Sequence, residues 1–355
     1  MFRLEPRKEA STAMVWATPV IAVALTIIVG MALFELLGKD STKAIWYIFI
    51  EPLTNPWLRP ELLIKGVPLV LIAIGLSLGF RAGVWNIGAE GQFIMGAVAG
   101  GAVGLAFYDV SGFWLLPLMA IAGAAGGAAW AMIPAVLRIK FNTNEILVSL
   151  MLVYVASLFL SAMVSGPLRD PDGFNFPESR LFHDSALMPI LIPGSNANWG
   201  ALLALGVVVA AYILLQKHLF GYQVKLMGQA PRAARFGGFS QTKIIAMCLG
   251  ISGGLAGLSG MLEAAGPVGQ LVPSIPNGYG FTAIIVAFLG RLHPVGIMLA
   301  GAVMALTYVG GDEAQLHVGL PGSAINVFQG MLLFFLLSVD VLVNFRLRIG
   351  KRGVA

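Results

Sequence analysis

Apolar residues run through this chain in long stretches separated by short polar ones. Ten runs stand out: Val15–Leu37, Leu62–Phe80, Phe93–Phe107, Phe113–Val136, Ile146–Gly166, Trp199–Leu215, Ile244–Ala265, Phe281–Leu289, Val295–Gly310 and Ala324–Val343. About 20 apolar residues suffice for a helix to cross a bilayer. The pattern therefore predicts an all-α polytopic membrane protein with about ten transmembrane helices. The run Phe281–Leu289 is too short to span without its flanks; treating it and the ninth run as two half-spans keeps the parity. The first run follows Arg3, Arg7 and Lys8. It is longer than the roughly 7–15-residue core of a cleaved signal peptide, and Phe34-Glu35-Leu36-Leu37 is a poor cleavage site, so a retained anchor helix is expected.

Charge tests this map. With the N-terminus cytoplasmic and ten crossings, the inner side holds Arg3, Arg7, Lys8, Arg81, Arg138, Lys140, Lys217, Lys225, Arg232, Arg235, Lys243, Arg291, Arg346, Arg348, Lys351 and Arg352. The outer side holds only Lys39, Lys43, Arg59, Lys65, Arg169 and Arg180. Acids divide the other way. This is a strong positive-inside bias and predicts an N-in, C-in topology.

Composition agrees. Of the 355 residues, 58% are hydrophobic and 11% charged, and the mean hydropathy is +0.86. Soluble domains average about 45–50% apolar and about 25% charged residues, so a soluble globular protein is excluded. The net charge of +5 comes from short basic clusters without interleaved aromatics, which argues against nucleic-acid binding. The single cysteine, Cys248, allows neither an internal disulfide nor a Cys-based metal site.

Two loops are long enough to matter. Residues 167–198 form a polar outer loop and residues 217–243 a basic inner loop with no acid. Domains need at least about 50 residues, so neither is one. Residues 1–355 are expected to form a single transmembrane domain, with a cytoplasmic N-tail at 1–14 and a basic C-tail at 344–355.

Several chemistries are missing. The chain has no G-x-x-x-x-G-K-[ST] phosphate loop and no H-E-x-x-H, no G-x-S-x-G elbow, and scattered histidines, so no catalytic or metal site is expected. Glu35, Glu90, Glu263 and Asp340 all lie near the ends of apolar runs. A charge at a helix centre costs about 2.5–3.5 kcal/mol on insertion scales, and this chain largely avoids that position. Ion-coupled transport is disfavoured, and energy for uphill movement would come from another subunit.

The stretch Gly75–Gly104 carries Gly79, Gly83, Gly88 and Gly91 around Arg81 and Glu90. Discontinuous helices in transporters often mark the solute path. Asn86, Glu90 and Gln92 are candidates for a polar elbow there; the alternative is a plain inner turn in which Glu90 favours the next helix start. Arg81 suits inner-face anchoring. The spacings Gly96/Gly100/Gly104, Gly123/Gly127 and Gly253/Gly257 predict close helix packing. In Phe141-Asn142-Thr143-Asn144-Glu145, Asn and Thr are suited to capping the next helix; partner contact is the alternative. In Gly228-Gln229-Ala230-Pro231-Arg232-Ala233-Ala234-Arg235-Phe236-Gly237-Gly238-Phe239, Pro231 suits a first turn and Gly237 an end. That short helix would either lie on anionic lipid or dock into a cytosolic partner.

The runs N-I-G-A-E-G-Q, F-N-T-N-E-I-L-V-S-L-M-L and G-Q-A-P-R-A-A-R-F-G-G, in this order, resemble the inner-membrane permease subunits of bacterial ATP-binding-cassette importers for monosaccharides, nucleosides and branched-chain amino acids. Residues 60–345 carry the resemblance. Together with S-G-P-L-R-D-P-D-G-F at 165–174, it is strongest to the longer permease of nucleoside importers. The resemblance implies a multi-pass plasma-membrane permease paired with a second permease, two ATPase subunits and an extracytoplasmic solute-binding protein, all in contact with lipid. It implies no enzyme activity and no cofactor in this chain, with ATP and Mg held by the ATPase. It implies an inverted repeat of segments two to five on seven to ten. The inner loop would hold the coupling helix, with Gly228, Arg232, Ala233, Ala234, Arg235 and Gly237 at the ATPase. Pro231 departs from the usual family pattern. A small neutral solute is implied, a nucleoside, with a monosaccharide such as ribose as the alternative cargo and an ion-coupled secondary transporter as the alternative class. Path candidates from polarity near span ends are Trp85, Asn86, Glu90, Gln92, Tyr279, Phe281, Asn326 and Gln329.

Overall fold

The computed structural model describes residues 2–6, 12–110 and 112–349. The basic residues Arg7, Lys8, Lys351 and Arg352, and parts of both tails, lie outside the described residues. Among the described residues two short strands, β1 (Phe2–Pro6) and β2 (Phe345–Ile349), flank a mainly helical body. The helices are α1 (Thr12–Leu36), α2 (Ser41–Phe49), α3 (Glu51–Thr54), α4 (Arg59–Arg81), α5 (Ala89–Ala106), α6 (Leu115–Phe141) and α7 (Glu145–Ser165). After the outer loop come α8 (Gly200–Gln216), α9 (Leu219–Gln229), α10 (Pro231–Phe236), α11 (Gln241–Glu263), α12 (Tyr279–Leu289), α13 (Pro294–Val318) and α14 (Gly322–Asn344).

Each of the ten apolar runs is a helix. Seven are long and apolar enough to cross a bilayer: Ala17–Leu36, Arg59–Arg81, Leu115–Phe141, Glu145–Ser165, Gln241–Val268, Pro294–Val318 and Gly322–Val343. The pair α8 and α9, bent by 67°, makes an eighth if taken as one span. Among the described residues, length and composition thus give seven or eight spans where the hydropathy pattern gives ten. The difference lies in α5, which opens on polar Glu90 and Gln92, in α8 with 17 residues, and in α12 with 11.

The helix ends follow local chemistry. Asn144 caps α7 by accepting from the backbone N–H groups of Ile146 and Leu147, so the Asn-Thr loop caps as its sequence suggests. Ser240 caps α11 in the same way. Asp40 caps α2, a helix the hydropathy pattern does not reveal, by accepting from Lys43 N–H at 3.0 Å. That bond holds the Asp40 carboxyl below its ordinary range.

The chain divides into two compact units, one of Met1–Leu58 with Leu306–Ala355 and one of Arg59–Ala305. The first is built around α1, α2 and α14. Phe34 stacks on Phe328 at 5.8 Å, and both are fully buried with Ala44, Ile48 and Ala314. β1 pairs antiparallel with β2, Phe2 opposite Ile349.

The second unit packs α5, α6 and α11 face to face. A Cβ on Gly96 would lie 2.1 Å from the Gly257 Cα, and one on Gly257 would lie 2.3 Å from the Gly123 carbonyl. No side chain larger than hydrogen fits there, and the predicted small-residue packing is found. α4 lies against the same bundle, with Gly75 on the Ser252 backbone. The outer loop is stitched to the chain that follows α11: Ser179 N–H donates to Leu271 O at 3.0 Å, Phe182 to Gly269 at 2.8 Å and Met188 to Ala265 at 2.8 Å.

Candidate functional site

Two helices in the second unit begin after an interruption. α4 ends at Arg81, the chain runs extended past Gly83 (φ 72°), and α5 starts at Ala89. α11 passes into a π-helical turn, Ala264–Val268, and α12 starts at Tyr279. The two starts meet. A Cβ on Gly280 would lie 2.2 Å from the Glu90 backbone nitrogen. The Glu90 carboxylate accepts from the Gly278 N–H at 2.8 Å and the Gly280 N–H at 2.5 Å. Backbone donors at a helix start hold a carboxylate by charge-assisted bonds and by the helix dipole. Glu90 therefore belongs to the starts of both α5 and α12, a role its sequence position half predicts.

Beside it lies a neutral polar cluster. The Asn86 side-chain amide donates to Gln92 Oε1 at 2.8 Å and to Ser252 Oγ at 3.0 Å; Gln92 Nε2 donates back to Asn86 Oδ1 at 3.0 Å. Gly88 N–H also donates to Asn86 Oδ1, at 3.1 Å. Asn86, Gln92 and Ser252 are all buried, and their amide and hydroxyl groups satisfy one another. A second chain runs from Lys65 Nζ to the Tyr279 hydroxyl at 3.2 Å and from that hydroxyl to Glu263 Oε1 at 3.4 Å.

The path candidates therefore divide. Asn86, Glu90, Gln92 and Tyr279 are gathered at the meeting of α5 and α12, all buried. Trp85 is 41% exposed, tilted against Phe80 at 5.0 Å and stacked on Phe288 at 5.9 Å. Phe281 is half-exposed. Asn326 and Gln329 lie in the other unit: Asn326 is exposed, and Gln329 is buried and donates to Thr307 Oγ1 at 3.3 Å. Polarity did not point to Lys65, Ser252, Gly278 and Gly280. Lys65 was open to detection as the one charge inside the second apolar run. The others matter through long-range packing, which no local pattern carries.

Arg81 does more than anchor. Its guanidinium donates from Nε (3.1 Å) and Nη2 (2.8 Å) to the carbonyl of Leu292, at a turn where Arg291 and Leu292 have φ of 56° and 55°. The adjoining His293 imidazole is held below its ordinary value, first by burial and then by the Arg81 charge.

On the inner loop, α10 runs Pro231–Phe236 with Pro231 in the first turn and Gly237 at its end, as the sequence predicts. Ala234 is buried among Ala82, Val84, Phe220 and Met227. Gly228 meets the Arg81 carbonyl too closely to admit a Cβ. Arg232, Ala233, Arg235 and Gly237 are exposed, and Phe236 is 94% exposed. Arg138 and Glu145 form an ion pair at the neighbouring α6–α7 turn.

A multi-pass helical body with a buried neutral polar centre and a short basic helix projecting from a loop defines a membrane permease. The chain belongs to the family described as branched-chain amino acid transport system / permease component, whose model matches residues 60–337. It is 36% identical to the glucose ABC transporter permease protein TsgB13 of Haloferax volcanii, over 99% of this chain and 95% of that one. It is 28% identical to the guanosine ABC transporter permease protein NupP of Bacillus subtilis, over 90% and 92%. It is 26% identical to the nucleoside ABC transporter permease protein NupB of Lactococcus lactis, over 90% of this chain and 89% of that one. No solved structure matches it.

The chain is thus the permease subunit of an ABC transporter in the plasma membrane, and not an enzyme; ATPase activity lies on a separate subunit. An ATPase and a solute-binding protein are implied. The ion-coupled alternative falls away with the family assignment.

Proposed function

We propose that this chain lines, together with a second permease subunit, the path of an ATP-driven importer for a nucleoside. The observation that carries this reading is the aromatic face of Phe80, Trp85 and Phe288 beside the neutral Asn86–Gln92–Ser252 cluster. Bases stack on aromatic side chains, and a wall of neutral polar groups that satisfy one another leaves no charge for the solute to balance. The path side chains within the second unit are Trp85, Asn86, Glu90, Gln92, Tyr279 and Phe281. Asn86, Glu90, Gln92 and Tyr279 act by shaping the wall; Trp85 and Phe281 meet the solute.

The chain works as one permease domain with ten membrane segments, three of them short. α4 with α5, and α11 with α12, are the corresponding halves of an inverted repeat. What supports this is that each long helix is followed by an interruption and a new helix start, and that the two starts meet at Glu90 and Gly280. α10 docks on the ATPase through Arg232, Ala233 and Arg235, with Gly228, Ala234 and Gly237 shaping the peg. ATP and Mg bind the ATPase and not this chain.

A monosaccharide cargo is the second reading, favoured by the 36% identity to a permease named for glucose. Reconstitution of the complete transporter in vesicles with ATP inside tests the choice. Uptake of labelled guanosine or adenosine, unaffected by excess glucose or ribose, supports the nucleoside. Uptake of glucose or ribose with nucleosides ignored overturns it.

A further inference from the structure

Near the end of α11 the structure holds an unsatisfied hydroxyl. Ser259 is 1% exposed, and its Oγ has no hydrogen-bond partner among the described residues. Four residues on, Glu263 is 5% exposed and accepts one long bond, from the Tyr279 hydroxyl at 3.4 Å. A carboxylate has room for about four such bonds, and buried polar atoms in native proteins nearly always find partners. Both side chains line one small cavity, of about 10 Å³, with Asn198 as its third polar wall and Pro68 and Leu262 among its apolar ones. That volume admits about one water molecule.

We propose that a single water molecule is bound in this cavity, bridging Ser259 Oγ to the Glu263 carboxylate and accepting from the Asn198 amide. It completes a hydrogen-bonded chain from Lys65 of α4 through Tyr279 of α12 to Glu263 and Ser259 of α11. Three partners are the usual number for a buried water. The donor set favours water over a cation. Asn198 Oδ1 is already engaged by the Gly200 N–H at 2.9 Å, which leaves the amide nitrogen, a donor. The ammonium of Lys65 already belongs to the same chain and faces Glu263, as does the carboxylate of Glu61. The backbone is shaped around the site as well. The π-helical turn Ala264–Val268 begins directly after Glu263, a feature common at functional positions in helices. Within it Gly266 lets Asn198 in, since a Cβ there would lie 2.5 Å from Asn198 Nδ2. The water ties the start of α12 to α4 and α11, opposite the hold that Glu90 exerts from α5.

Ser259→Ala in the complete transporter decides the matter, because the two alternatives have opposite signs. If the hydroxyl holds a water, its removal takes one partner from that water and weakens the link to Glu263, and the melting temperature falls by about 2 °C or more. If the hydroxyl is unpaired, removing it is neutral or stabilising, and an unchanged or raised melting temperature overturns the proposal. A map of the wild-type transporter that shows ordered water supplies the second reading. Density within hydrogen-bond distance of Ser259 Oγ and Glu263 supports it. An empty cavity, or an ion ringed by oxygens, overturns it.

Discussion

The Glu90 carboxylate, on the first turn of α5, accepts the backbone N–H of Gly280 at the start of α12, 2.5 Å away and 190 residues on in sequence. Glycine at 280 lets the two backbones touch, and the carboxylate satisfies donors that a helix start otherwise leaves open. An acid in the membrane body thus serves as the pin between two interrupted segments, a task that needs no ion gradient.

Glu90→Ala leaves the Gly278 and Gly280 N–H groups buried without acceptors. A buried donor left unsatisfied costs about 1–3 kcal/mol, so thermal unfolding of the purified variant should show at least that loss. Glu90→Gln keeps one acceptor oxygen and should lose less. Equal stability of Glu90→Ala and wild type would show that the pin is dispensable.

The packing of α5 on α11 makes a sharper test. Gly96→Ala places a methyl 2.1 Å from the Gly257 Cα, and overpacking of this kind costs about 1–3 kcal/mol. Gly206→Ala, in α8, meets nothing within 4 Å and should be neutral or slightly stabilising, as Gly→Ala is at unstrained helical positions. Melting curves of the two variants should move apart, and coincident curves would refute the close approach.

Much of this was open to reading in the chain. The ten apolar runs mark ten helices, the Gly spacings mark the tight α5–α6–α11 packing, and Pro231 and Gly237 bracket α10 to the residue. These are local signals of period, cap and breaker. The helix α2 carries a legible cap in Asp40 but only a modest apolar run, so hydropathy passes over it. The site was partly legible: Asn86, Glu90, Gln92 and Tyr279 stand out as polar residues at span ends. Their partners Ser252, Gly278, Gly280 and Lys65 lie up to 214 residues away in sequence, and only the folded packing of α4, α11 and α12 brings them near. Asn326 and Gln329 share the polarity and lie in the other unit, which shows that polarity near a span end does not by itself assign a place.

His293 gives a pH prediction. Burial and Arg81 depress its pKa in the fold, so the unfolded chain binds the proton more readily. Stability then rises with pH through this group and is lost as pH falls below the ordinary histidine value of about 6.5. His293→Gln should flatten the acid side of a melting-temperature profile taken between about pH 7.5 and pH 5.5. A profile identical to wild type would assign the acid loss to other groups.

The exposed face of α10 separates coupling from folding. Ala234 is buried in the cluster with Ala82, Val84 and Met227, so Ala234→Glu should destabilise the inner loop by burying an unpaired charge. Arg232, Arg235 and Phe236 face outward, and surface substitutions there should shift stability by no more than about 0.5 kcal/mol. Phe236 is apolar and 94% exposed. Apolar, exposed and centrally placed aromatics are what partner pockets take up. Phe236→Ala and Arg232→Ala should therefore melt as wild type yet lose solute-stimulated ATP hydrolysis in the assembled transporter. If α10 instead rests on lipid, both variants would keep full stimulation and weaken only binding of the loop to anionic vesicles, and the docking role would be wrong.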